Sequence, residues 1–578
     1  MGLLGRTEPQ ESVHVPTIRI KSRMRWWPAA VCGGWLAQVA IRMILAAFHD
    51  FPIVIPDESG YLLAARLLAG GASSDLSGRT FYQAGYPLLI SPAYWLSDDS
   101  LTIYRIVLVI NALIGATLLA PAHVALRRLG LPRGRAYLLA MVTASLPSVV
   151  YYGQYAMSDA VLPLAMLTWL LCVHSWIARR GPGWGVAASA LAAYCYSAHT
   201  RGLIVVIAHA GLLAVMLARR RLPGRDVGVA AVTLVAGVVA GWVLNSWVRA
   251  EIYPGGALPL GSLLVERLTT SSGLGWTFGL AAGKIWYLIA STWGLAGVGL
   301  VAAALAALRQ STPLATRATA VLTLVTVAGI ALATSAATPD EGTVANLAYG
   351  RYLGCLAPAL FLAGAALVVR ATRIGVVKAV LVTAGLTLAS ALVVLLHAGG
   401  RLTHAFFLSL DFPEMSALTW SWDRLRFWWV TAVVLLSLLI VVLAKGRKVV
   451  RALVALGVAA DLAVVTVAVD RDARHWADTL YNASSLAGAA LRPDDRVGID
   501  YRDMSWRVWV SQAFQVQSHL QPIDRLNPRT LPQGLTLVIV PWDPHQAPQT
   551  SWPAAPPGFA PVSVHWTDSG NWVAWRRL

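Results

Sequence analysis

WPAAVCGGWLAQVAIRMILAAFHDFPIVIPDESGY, residues 27–61, sets an uninterrupted apolar run against a loop that opens on two adjacent acids. Residues 27–47 are long enough to cross a hydrocarbon core about 30 Å thick. A basic leader precedes them and no small-residue cleavage site follows, so this run reads as a retained first span and not a removed signal peptide. Working outward, further apolar runs of similar length recur near 102–123, 136–153, 159–178, 184–200, 202–218, 227–247, 285–308, 318–336, 352–369, 376–397, 427–444 and 452–469, about thirteen in all.

Composition agrees. The 578 residues are 57% hydrophobic and 13% charged, with mean hydropathy +0.60. Soluble domains carry about 25% charged residues, so the solvent for most of this chain is lipid. The net charge of +18 does not mark a nucleic-acid binder, because the basic residues form short clusters between apolar runs and no continuous basic face is present. Those clusters are Arg19/Lys21/Arg23/Arg25, Arg127/Arg128/Arg133/Arg135, Arg179/Arg180, Arg219/Arg220/Arg221/Arg225, Arg309/Arg317, Arg370/Arg373/Lys378 and Lys445/Arg447/Lys448/Arg451. They occupy alternate connections, which places those connections and the N-terminus in the cytoplasm. Of the inter-span acids, only Asp226 falls on that side. Asp57, Glu58, Asp99, Glu251, Glu341, Asp411, Glu414 and others fall opposite, so polar chemistry concentrates on the extracytoplasmic face.

Three outer segments are long: 48–101, 248–284 and 399–426. Within the first, 59–69 and 86–96 are expected to lie along the membrane surface as interfacial helices. After Asp470 the spanning runs stop. A helix over 472–490, strands at 496–500 and 536–542, and a hairpin of 562–566 with 571–575 turning at Asp568-Ser569-Gly570 predict a small extracytoplasmic α/β domain. The expected organisation is a leader (1–26), a transmembrane domain (27–469) and this outer domain (470–578). Cys32, Cys172, Cys195 and Cys355 all sit in apolar segments and read as small buried hydrophobes.

Four polar constellations carry candidate chemistry. Asp57-Glu58 could supply a carboxylate general base, or cap the helix that follows. Ser158-Asp159 opens the fourth span, as a hydroxyl-binding acid or a helix-terminal pair. Arg201, in the short turn His199-Thr200-Arg201, needs an anion or a path to water. Arg351, between Tyr349 and Tyr352, could meet phosphate or anchor the span at the interface. Asp461 is the most deeply placed acid and is expected to pair with an arginine. No Walker loop, zinc motif, nucleophile elbow or dinucleotide fingerprint is present in the sequence, so the expectation is a reaction with no metal or other cofactor.

The elements PDESGYLLAARLLAGG, LPSVVYYGQYAMSDAVLPL, HTRGLIVV and YGRYLGCLAP, in this order and on this side of the membrane, resemble the GT-C superfamily of membrane glycosyltransferases. The resemblance is to the branch holding protein O-mannosyltransferases, lipid A aminoarabinose transferases and actinobacterial arabinofuranosyl- and mannosyltransferases, and it covers roughly 27–370. It implies a polyprenyl-phosphate-linked sugar transferred with inversion to an extracytoplasmic glycan, lipid or protein at the plasma membrane; the Ala/Val/Arg/Trp-rich composition, that of a high-GC bacterium, favours mannose or arabinofuranose as the sugar. Asp57 would be the base. Glu58, Asp159 and Tyr61 would contact sugar or acceptor. Arg201, Arg351, His199 and Tyr352 would contact the donor phosphate. The sequence departs from the family where several relatives have a His-Pro-Pro run and this chain reads Tyr82-Gln83-Ala84-Gly85-Tyr86-Pro87. The alternatives are a lipid or sugar transporter, against which no repeated halves are visible in the sequence, and a non-catalytic scaffold.

Overall fold

The computed structural model describes residues 27–578 apart from 445, 493, 501, 519, 528–530 and 567–569; of 446–455 it describes the backbone alone. The leader with its basic cluster, the side chains of the 445–451 cluster and the Asp568-Ser569 turn lie outside the described residues.

The chain is an all-helical polytopic membrane bundle carrying a small α/β domain. Helix α1 spans Trp27–Ala46. With it, Ser100–Arg128, Leu162–Arg179, Gly224–Ile252, Leu314–Ala337 and Arg373–Ala398 are each long and apolar enough to cross a bilayer. Expected spans at 184–200, 202–218 and 427–444 fall on helices of 17 residues, about 25 Å at 1.5 Å per residue and so short of a full core.

The expected continuous span at 285–308 is not one helix. Ser271–Ala290 and Leu295–Leu308 meet at a bend of 108°. The cause is local: Trp293 and Gly294 both have positive φ, at 55° and 86°. A Cβ on Gly294 would also lie 2.7 Å from the Leu438 side chain. The break carries the Trp293 indole to Asp461, whose Oδ1 accepts its N–H at 2.7 Å. Among the described residues Asp461 is therefore held by an indole and not by the expected arginine. Cys172, Cys195 and Cys355 are buried as expected, but Cys32 is exposed on the apolar surface of α1.

Helix α2, Asp57–Leu68, is also not the expected surface helix: Glu58 through Arg66 are all buried. The C-terminal domain covers it. That domain has five strands, β1 (Val497–Ile499), β2 (Leu520–Pro522), β3 (Leu537–Pro541), β4 (Phe559–His565) and β5 (Trp572–Arg577), in the order β2-β1-β3-β5-β4. β1 pairs in parallel with β2 and β3, and β5 pairs antiparallel with β3 and β4. The helix Trp506–Gln515 and β2 were not foreseen from sequence. Arg66, 2% exposed, joins the two parts. It donates to the carbonyls of Ala72 (2.9 Å), Ala513 (3.3 Å) and Val516 and to Ser74 Oγ (2.7 Å). Phe514 packs beside Phe51 and Tyr104.

Hydrogen bonds to a charged group contribute about 1.5–3 kcal/mol each, and acceptors left bare in the interior add to the loss. Arg66→Ala is therefore expected to destabilise the docking of the C-terminal domain by about 3 kcal/mol or more. Limited proteolysis across 484–520 should accelerate and Tm should fall; unchanged cleavage and melting would show that this arginine is not the clamp.

Candidate functional site

The site begins at the first residue of α2. Pro56 precedes the helix and gives no side-chain cap, so the Asp57 carboxylate is free for distant partners while sitting at the favourable positive end of the helix dipole. Its Oδ1 accepts the Tyr82 hydroxyl at 2.5 Å and its Oδ2 accepts Arg351 Nη1 at 2.6 Å. Gly60 makes the first contact possible, because a Cβ there would stand 2.2 Å from the Tyr82 ring. Gly350 does the same for Arg351, since a Cβ would stand 1.9 Å from the Tyr287 ring.

Arg351 is shared. Its Nε donates to Asp159 Oδ2 at 2.9 Å, and Asp159 Oδ1 accepts Arg201 Nη2 at 2.9 Å. Arg201 Nη1 also donates to the carbonyls of Arg351 (3.2 Å) and Tyr352 (3.1 Å). The result is an unbroken chain, Asp57–Arg351–Asp159–Arg201, from four segments of sequence, with two charges of each sign. Asp159 lies in the 3₁₀ turn ahead of the helix Leu162–Arg179 and makes no helix cap. Burial alone would raise its pKa, but Arg201 and Arg351 reverse this and hold it well below the usual carboxylate range. Within the chain Asp57 is the accessible carboxylate, with 21% of its side chain exposed against 6% for Asp159 and 0% for Arg201.

The remaining sequence candidates divide. Glu58 is fully buried: Oε2 accepts the amides of Ile53 (2.8 Å) and Val54 (2.9 Å), and Oε1 accepts the Tyr104 hydroxyl and the Ala156 amide, both at 2.7 Å. Tyr61 meets Ser158 Oγ at 2.9 Å, beside Asp159. His199 Nδ1 lies 3.2 Å from the Arg201 amide, and its ring meets Tyr352 edge-on at 6.5 Å.

Sequence reasoning missed two groups. Lys284, 2% exposed, donates to Ser335 Oγ at 2.7 Å and lies over the Tyr352 ring at 5.6 Å, while Arg201 lies over that ring at 5.4 Å. No described carboxylate forms an ion pair with it. The signal was available: a lysine inside an apolar helix is a functional candidate by default. The second group is acidic. Burial pushes Asp411 from 3.8 up to about 7, with Asp57 and Glu341 adding to the rise. Glu414, whose Oε2 accepts the Tyr287 hydroxyl at 2.5 Å, is likewise raised to about 7 by burial. No local spacing in the sequence distinguishes these acids from other loop carboxylates.

Beside the site lies an open, largely apolar cavity of about 540 Å³, lined by Phe81, Gln83, Tyr196, Trp242, Arg249 and Leu258 among others. Its rim includes the exposed Trp242 and Leu203, and Arg249 lies over Phe81 at 5.7 Å. Phe81 and Gln83 flank Tyr82, the hydroxyl donor to Asp57.

The raised Asp411 gives a pH signature. The folded protein keeps this proton between about pH 4 and 7, where the unfolded chain has lost it, so stability falls across that window as pH rises and stays lower above it. Asp411→Asn removes the penalty. Its gain in Tm over the parent should be larger at pH 8 than at pH 4; equal gains at both would contradict the assignment.

No protein-family profile matches the sequence, and no curated protein does. Among solved structures, the chain is similar to ArnT from Cupriavidus metallidurans bound to undecaprenyl phosphate, with TM-score 0.51 and 15% identity over 96% of this chain and 98% of that one. Against the apo state of the same protein the figures are 0.48 and 16%, over 95% and 98%. At this identity the likeness is one of architecture: the chain shares the fold of that ArnT structure along nearly its whole length.

Proposed function

We propose that this protein is a polyprenyl-phosphate-dependent glycosyltransferase of the GT-C kind, acting at the extracytoplasmic face of the plasma membrane. The observation that carries this is the accessible Asp57 carboxylate, fixed by Tyr82 and Arg351 at the end of a buried ion chain and next to an apolar cavity open at the bundle surface. ArnT, which shares the fold, was solved with undecaprenyl phosphate bound, and a cavity with an apolar wall and one arginine suits such an amphipathic ligand. Alternating basic loops support a cytoplasmic leader over 1–26, a transmembrane catalytic domain over 27–469 and an extracytoplasmic domain over 470–578.

In the reaction an acceptor hydroxyl attacks the anomeric carbon from the face opposite the phosphate. Asp57 takes the hydroxyl proton, the new glycosidic bond forms, the carbon–phosphate oxygen bond breaks with inversion, and polyprenyl phosphate leaves with the electron pair. Charge grows on the departing phosphate, so a fixed cation beside it stabilises the transition state. Arg351 Nη1 is the guanidinium atom already at Asp57, and a phosphate competing for it would loosen the base at the moment it is needed. Arg201 has no accessible surface and is assigned a positioning role through Asp159 and the 351–352 carbonyls. Lys284 supplies a buried amino group for the donor, without a carboxylate partner among the described residues and with Tyr352 and His199 beside it. Glu58 positions the start of α2 through its four acceptor contacts, and Tyr61 steadies the Asp159 turn. The transferred sugar is proposed as mannose or arabinofuranose, on the Ala/Val/Arg/Trp-rich, high-GC-like composition alone.

Purified protein incubated with polyprenyl-phosphate sugars should release polyprenyl phosphate. Removing a general base costs about 10²–10⁴ in rate, so Asp57→Asn should abolish transfer at that level with donor binding retained; near-normal turnover in this variant removes Asp57 as the base. Lys284→Met should raise the KM for donor about tenfold or more, the loss expected for a hydrogen bond to a charged partner. An unchanged KM would take Lys284 out of the donor site.

A further inference from the structure

The segment 75–83 has a different cavity on each side. Phe81 and Gln83 face the apolar one, with Tyr82 holding Asp57 between them. Asp75, Ser77 and Arg79 line a second cavity of about 400 Å³, whose other wall is Arg502, Trp506 and Trp509 of the C-terminal domain. The segment is fixed in place. The Leu76 amide donates to Ile252 O (2.7 Å), Gly78 to Gly256 O (2.8 Å), Leu258 to Arg79 O (3.0 Å), and Gly255 to Ser77 Oγ (2.7 Å).

The two cavities differ in chemistry. The second presents both carboxylate and guanidinium: Asp75 and Arg79 line it, and Arg502 on the other wall is paired to Asp524 at 3.0 Å. Arg79 lies over the Trp506 ring at 4.9 Å, which holds its planar donors in one orientation. A prenyl chain would meet charged groups here, and a simple anion would meet Asp75. A sugar ring suits the set, because it offers vicinal hydroxyls to planar donors and acceptors and C–H surface to indoles. The tie to Asp57 runs through the chain itself: the segment that lines this cavity at Asp75, Ser77 and Arg79 continues to Tyr82, whose hydroxyl donates to Asp57 Oδ1 at 2.5 Å.

We infer that this cavity is a carbohydrate subsite that holds acceptor sugars next to the reacting hydroxyl, which makes the acceptor a glycan and not a lipid or a protein side chain. This rests on the glycosyltransferase reading above. Donor and acceptor then approach Asp57 from opposite sides of the 75–83 segment, the lipid-linked sugar from the apolar cavity and the glycan from beneath the C-terminal domain.

The full-length protein in nanodiscs should bind a mannotetraose or an arabinotetraose saturably. Arg79→Ala and Trp506→Ala should weaken that binding about tenfold or more, while binding of undecaprenyl phosphate stays within about twofold of the parent. Asp75→Asn, a milder change, serves should Trp506→Ala fail to fold, with the same expectation. Failure of both oligosaccharides to bind, equal binding by parent and variants, or saturable binding of only a serine/threonine peptide or lipid vesicles overturns the inference, even if the protein turns over polyprenyl-phosphate sugars. Oligosaccharide binding with no affinity for undecaprenyl phosphate would instead sink the donor assignment and leave this cavity's carbohydrate specificity standing.

Discussion

The Arg351 guanidinium, divided between Asp57 and Asp159, is the constraint on which the rest of the molecule depends. It joins the helix that follows the first span to the turn ahead of the helix Leu162–Arg179, and through Asp159 it reaches Arg201 between two further helices. Each of these charges would be costly to bury singly. Removing one member of a buried pair typically costs about 3–5 kcal/mol, because the other is left uncompensated. The four groups therefore hold one another, and the alternating signs keep the end of the bundle neutral while leaving one carboxylate, Asp57, at an accessible edge. Tyr82 completes the arrangement by orienting the second oxygen of that carboxylate.

Neutrality within the chain of ion pairs sharpens the question of what meets a lipid phosphate. Arg201 is enclosed and paired with Asp159, whereas Lys284 is a buried amine with a serine and an aromatic ring for company and no carboxylate partner among the described residues. A site that must stabilise growing negative charge benefits from a cation without a fixed carboxylate partner, since such a charge is not already screened. The C-terminal domain contributes to the same region. Arg66 holds its Trp506 helix against α2, and Arg507 on that helix brings positive charge towards Glu341 and Asp411. Helix α2, the apolar cavity and the polar cavity are thus parts of one assembly, tied by the short segment 75–83.

Much of this was legible in the sequence. Apolar runs gave the membrane class, and acids and arginines at the ends of spans marked Asp57, Asp159, Arg201 and Arg351, which the structure gathers into one chain. The division of labour between neighbours was not legible. Asp57 and Glu58 are adjacent, yet one helical step of about 100° turns Glu58 into a shell of amides and leaves Asp57 at the edge. The break at Trp293-Gly294 escaped because apolar composition continues through it, and the backbone turns there to seat an indole on Asp461. Arg66 looked like part of a surface helix because nothing local announces that carbonyls more than 440 residues away will receive its hydrogen bonds. Lys284 stands one residue ahead of the apolar run at 285–308, where composition alone reads a lysine as part of the preceding loop.

The most direct test of the account is a cryo-electron microscopy structure of the protein with a non-cleavable polyprenyl phosphonate sugar. The prenyl chain should occupy the cavity lined by Trp242 and Arg249, with the phosphonate within hydrogen-bond reach of Lys284 and the anomeric carbon facing Asp57. Density for the lipid away from Asp57, with the Asp57–Arg351 contact undisturbed and no group of the ligand near it, would contradict the central claim.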